Sequence, residues 1–206
     1  MLEGIPVLSL IILLPLVGSL IAFSLGKRED LAKWVALGFA LAAFILSLVV
    51  AFEFVVDPYS APSGTIESYS NGYQFYESHV WIETLGINYM VGMDGISLPL
   101  FVLTTLLCLL SIVFSWDTKK RPKEYFGLML VLEVGVLGVF VSLDYFMFYV
   151  FWEIVLIPMY FMIGVWGGPN RDYAAIKFFI YTHIASLAML IAIMAMYFEA
   201  GIETFS

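Results

Sequence analysis

The chain has 206 residues, of which 62% are hydrophobic and 13% charged, and a formal net charge of −8. A mean hydropathy of +0.98 exceeds what the surface of a water-soluble domain sustains, so the chain reads as an integral membrane protein. The apolar residues come in blocks of about 20, enough to cross a hydrocarbon core of ~30 Å as helices, without the every-second-residue alternation of barrel strands.

The fold class expected is therefore all-α, an integral membrane helical bundle of about six transmembrane helices, at 4–25, 33–56, 95–116, 124–142, 145–166 and 174–198. The first block, Gly4 to Leu25, has no basic residue ahead of it and is too long for a signal-peptide core, so it reads as a retained helix. Asp57 to Gly92 is a long connection with acidic Asp57, Glu67, Glu77 and Glu83 and no Lys or Arg. From His79, HVWIETLGINYMVG alternates apolar and polar residues around Gly86, the pattern of a small β-hairpin on the membrane surface or else an irregular loop. Asp94 or Ser97 is the candidate N-cap of the third helix. Tyr125 to Trp166 is almost unbroken apolar sequence and as one helix would be about 60 Å long, so it must fold back. Ser142-Leu143-Asp144 is its polar punctuation, with Ser142 or Asp144 as cap of the incoming helix, and so short a turn makes helices four and five antiparallel neighbours.

All basic residues fall in three places: Lys27, Arg28 and Lys33; Lys119, Lys120, Arg121 and Lys123; Arg171 and Lys177. These are alternate loops, which the positive-inside rule puts on the inner side, leaving both termini outside. The absence of a transit peptide favours a prokaryotic cell membrane. Cys108 alone holds neither an iron–sulfur cluster nor an internal disulfide, and the sequence has no phosphate-binding glycine loop and no metal-ligand spacing. Cofactors and metals are expected to be absent from this chain, as is nucleic-acid binding.

Charged groups at mid-bilayer cost roughly 3 kcal/mol on insertion scales and so are rare and usually functional. Glu153, within FWEIVLIPMYF, and Glu133 each lie about 14 Å below the turn between helices four and five, and His183 on helix six reaches a similar level. Tyr149 and Tyr160 share a helical face with Glu153, and Pro158 removes the backbone hydrogen bond to Ile154 just beyond the carboxyl group. The plainer alternatives are a protonated Glu acting as packing glue, a neutral packing His183, and a Lys177 that reaches to the inner interface.

VGMDGISLPL from Val91, LEVGVLGVF from Leu132, FWEIVLIPMYFMIGVWGG from Phe151 and AAIKFFIYTHIASLAMLIA from Ala174 together resemble the antiporter-like proton-pumping subunits of respiratory complex I and its relatives. IPMYFMIGVWGG is most similar to the chain M, or subunit 4, type. The resemblance implies that Glu153 is a central proton-relay residue and Glu133 a second one; it carries nothing over to His183, whose candidacy rests on depth alone, and Tyr149 and Lys177 are further candidate members by position. It implies other membrane-arm subunits as partners, besides membrane lipid, and coupling to electron transfer to a quinone-like acceptor in an NADH-quinone oxidoreductase-type translocase. Family members carry more helices, in inverted repeats, so the chain resembles the N-terminal part of such a subunit, with the missing C-terminal half a further partner if separately encoded. On this reading 1–92 holds helices one and two with the external loop, and 93–206 helices three to six with the start of the first repeat. The competing readings are an Mrp-type cation/proton antiporter subunit and a truncated, non-pumping scaffold chain.

Overall fold

The computed structural model describes residues 6–26, 28–56, 73–200 and 205; Lys27, Asp57 and Glu67 lie outside them. Six long apolar helices cross-pack: α1 (Val7–Ser24), α2 (Glu29–Val56), α3 (Ser97–Phe114), α4 (Pro122–Val141), α5 (Tyr145–Trp166) and α6 (Arg171–Ala200). Each is long and apolar enough to cross a bilayer. They match the six expected spans, with ends displaced by a few residues, as fraying at helix ends allows.

Between α2 and α3 lies the hairpin. Strand β1 (Gln74–Ile82) pairs antiparallel with β2 (Ile87–Met93), with His79 opposite Tyr89. The chain turns through a 3₁₀ segment, Glu83–Leu85, and Gly86 at φ 64°, a left-handed value that a residue without Cβ adopts at no steric cost. The alternation from His79 thus makes a hairpin and not an irregular loop, and its first strand starts earlier, at Gln74.

Helix α4 is the hub, packed against α1, α2, α3 and α5, whereas α6 packs chiefly against α5. Glycines allow the tight α4–α5 approach: a Cβ on Gly138 would lie 2.2 Å from the Phe151 ring, and one on Gly135 2.6 Å from Val155. In the α4–α5 turn Asp144 is the cap, accepting from Phe146 N–H at 2.9 Å and Met147 N–H at 3.0 Å. Ser142 instead donates to the Gly138 carbonyl at 2.7 Å. The turn also joins the hairpin, for Leu143 N–H donates to the Met90 carbonyl at 2.9 Å. At α3 both expected residues act together: Asp94 Oδ1 accepts from Ser97 N–H at 2.6 Å, and Ser97 Oγ accepts from Asp94 N–H at 2.9 Å, a reciprocal cap.

Candidate functional site: an acid between two helices

Helix α5 is apolar on all sides, so its orientation is set by α4 on one flank and α6 on the other. The glycine face of α4 takes Phe151 and Val155, which turns the intervening Glu153 toward α6. There Glu153 Oε2 lies 3.2 Å from His183 Nδ1, and Ser186 Oγ donates to Oε1. The Ser186 hydroxyl also faces the His183 carbonyl at 3.0 Å. His183 and Ser186 are three residues apart and so share one helical face. Tyr149, one turn before Glu153, is close enough to interact with both Glu153 and Ser186.

The imidazole is held by rings. Phe179 stacks on it at 5.3 Å between centroids and 9° between planes. Tyr160 of α5 in turn packs edge-on against Phe179 at 5.5 Å. Tyr149, Glu153 and Tyr160 therefore all face α6, as their spacing required. Pro158 is buried within a helix whose assignment runs on without a break, and its missing N–H deprives the Ile154 carbonyl of its usual donor. In this chain taken alone the side chains of Glu153 and His183 are 25% and 40% exposed.

Glu133 is a separate site. It is 1% exposed, near the centre of α4, and neither carboxyl oxygen has a hydrogen-bond partner among the described residues. Beside it stands Cys108 of α3, whose thiol lies 3.8 Å from the Met129 carbonyl. Glu133 thus faces α3 while Glu153 faces α6, and they share a depth but no hydrogen-bonded cluster. Lys177 is exposed on α6, its ammonium 5.7 Å from the Tyr173 ring and 5.9 Å from the Tyr181 ring, and it has no ion pair with Glu153.

Sequence reasoning missed Ser186. A serine in an apolar helix is ordinary, and the signal that singles this one out is its three-residue spacing from His183 on the face toward Glu153.

Two adjacent family models match the chain: NADH-ubiquinone oxidoreductase chain 4, amino terminus, over residues 70–141, and NADH:quinone oxidoreductase/Mrp antiporter, TM, over residues 142–206. It is 40% identical to F(420)H(2) dehydrogenase subunit M of Methanosarcina mazei, an alignment covering 98% of this chain and 39% of the relative. It is 43% identical to NADH-quinone oxidoreductase subunit M of Rhodobacter capsulatus, over 94% of this chain and 36% of the relative. Among solved structures, a chain of respiratory complex I from Thermus thermophilus with bound NADH superposes with a TM-score of 0.78 at 27% identity, covering 96% of this chain and 37% of that one. The chain spans less than two fifths of the length of these relatives. With the six spans, the hairpin and both family matches in one order along the sequence, the chain belongs to the antiporter-like membrane subunits of the NADH:quinone oxidoreductase family, of the chain 4 or subunit M type.

Proposed function

We propose that this chain is part of a membrane-arm subunit of a complex I-like oxidoreductase and that Glu153 binds and releases a proton in transit across the membrane. The redox groups reside in other subunits, and electron transfer there to a quinone-like acceptor supplies the energy. One observation carries the reading: at mid-depth in an apolar helix, a carboxyl group is aimed at an imidazole and a hydroxyl on the next helix. A carboxyl group kept only for packing would need no titratable neighbour. Desolvation favours the neutral acid and a nearby cation the carboxylate, so a signal that alters the cation's proximity loads or discharges the group. A change of one pKa unit is worth about 1.4 kcal/mol, within reach of a small rearrangement. Glu133, enclosed beside Cys108, serves as a second ionisable station that biases the first through the helix packing. The basic ends of the helices face the inner side and the hairpin and N-terminus the outer side of a prokaryotic cell membrane.

The test is Glu153→Gln in the assembled membrane complex, which preserves shape and hydrogen bonding but not titration. The rate of coupled proton uptake through this subunit is expected to fall about a hundredfold or more, with the complex still assembled. An unchanged rate would assign Glu153 to packing and favour the scaffold reading.

A further inference from the structure

We infer that His183 is the proton-sharing partner of Glu153 and that Ser186 positions the carboxyl group for the exchange, so that the site holds its proton on a carboxyl–imidazole pair. The inference rests on the proton-transit reading of Glu153 and adds what nothing in the family match assigns, namely a partner on α6.

The geometry separates the two carboxyl oxygens by task. Oε1 accepts the Ser186 hydroxyl, which fixes the rotation of the group, and Oε2 is left 3.2 Å from Nδ1. A hydrogen bond to the first oxygen leaves the second as the one that gains or loses the proton. On the other side the ring plane is fixed by the nearly parallel Phe179, itself braced by Tyr160. Both reacting atoms are thus aimed by groups that do not titrate in the physiological range. A packing histidine needs no such alignment.

The step balances within the pair. The Glu153 O–H bond breaks as an Nδ1–H bond forms, converting acid and neutral imidazole into carboxylate and imidazolium; the reverse step restores them. Net charge is zero on both sides of this exchange, so the proton moves without adding a net charge to a low-dielectric region. Loading a second proton leaves a net charge of plus one, and removing both leaves minus one. The pair therefore favours holding one proton and resists both the empty and the doubly filled state, a coupled titration belonging to the two groups together.

No other ionisable group among the described residues competes. Against α5 pack chiefly α4, α6 and β2, with Trp81 of β1 and Phe205 against Phe146 at its start and Lys120 on the Val165 carbonyl at its far end; on α4, Glu133 lies beside Cys108 toward α3, and on α6, Lys177 turns to Tyr173 and Tyr181. Tyr149 on α5 is the remaining neighbour, a hydroxyl near both Glu153 and Ser186.

The experiment is a pH titration of the full chain in lipid nanodiscs, reading the ring nitrogens of ¹⁵N-histidine by NMR and the protonated carboxyl band by infrared spectroscopy. Only His79 and His183 carry the label, and His79→Gln separates their signals. In the wild type both reporters are expected to show the same two steps. Glu153→Gln is expected to reduce the His183 response to a single step, displaced from the wild-type pair of steps. His183→Asn keeps an N–H donor but cannot titrate, and should collapse the Glu153 transition to one step. Ser186→Ala should move the Glu153 transition and Ser186→Thr restore it. A His183 midpoint unmoved by Glu153→Gln, or a Glu153 transition unchanged in His183→Asn, would overturn the pair. Either result would leave intact a loss of proton uptake in the Glu153→Gln complex, so the two failures can be told apart.

Discussion

The N-cap position of α1 is Pro6, which has no side-chain acceptor for the free N–H groups of the first turn. Glu77, from strand β1, supplies one from a distance: its Oε1 accepts from Leu8 N–H at 2.8 Å, and its carboxyl group also receives the Ser9 hydroxyl, which lies 2.5 Å from the Tyr89 hydroxyl. Burial pushes the Glu77 carboxyl above its ordinary value of 4.5, against the downward pull of the Ser9 and Leu8 hydrogen bonds and of His79. Burial likewise raises Tyr89. For an acid whose folded value is raised, the stabilising contribution is fully present below the ordinary value and is lost as pH rises through the raised one. The hairpin should therefore exchange its β1 amide hydrogens more slowly near pH 4 than at neutral pH, after correction for intrinsic rates. Glu77→Gln should remove that difference; an undiminished difference in the variant would trace it to another group. In the sequence Glu77 is readable only as one acid in a loop free of Lys and Arg, because its bond to Ser9 joins residues 68 apart. Glu153 was legible because its depth follows from counting along a helix, whereas Ser186 depends on how α6 is rotated.

Several helix ends in this protein follow the dipole, although Glu53 and Glu199 stand near the ends of α2 and α6. Where α3 ends, Lys33 Nζ donates to the Trp116 carbonyl at 2.9 Å, and at the end of α5 Lys120 Nζ donates to the Val165 carbonyl at 2.5 Å. Carboxylates stand at the starts: Asp94 before α3, Asp144 before α5, Glu29 and Asp30 in α2, Glu124 in α4 and Asp172 in α6. Two of the basic residues proposed to mark the inner side, Lys33 and Lys120, thus also cap helix C-termini. The α4–α5 pair was legible through its short turn, and Asp144 as its cap through residue type. The α1–α4 contact was not, since no local spacing joins two helices so far apart in the chain. At the α4–α5 seam Gly138→Ala should destabilise the chain by about 1–3 kcal/mol, because the added methyl group meets the Phe151 ring in a seam with no slack. Gly38→Ala, where a Cβ meets nothing within 4 Å, should instead stabilise α2 by up to ~1 kcal/mol. Thermal unfolding in detergent compares them, and equal shifts would mean that the seam adapts.

Across the whole molecule, charge and topology give one orientation. The hairpin sits at the start of α1, α3 and α5 and at the ends of α2, α4 and α6, and the described basic residues lie at the opposite end or within the first turns of helices rising from it. Six crossings follow from length and hydropathy, and the proposed sidedness rests on the positive charges; neither depends on packing. Adjacency in space is a different matter: α4 becomes the hub because its glycines admit close neighbours, while α6, with only 11% of its spanning window buried, stays at the edge. Glu153 and His183 lie at the contact between α5 and this edge helix. The orientation can be checked in a Cys108→Ser background with single cysteines at exposed Val80, on the hairpin, and exposed Asp117, in the basic loop after α3. A membrane-impermeant maleimide should label Val80→Cys in intact cells and Asp117→Cys only after permeabilisation. The reverse pattern would invert the bundle, placing the basic ends outside against the positive-inside rule and reversing the side from which Glu153 receives its proton.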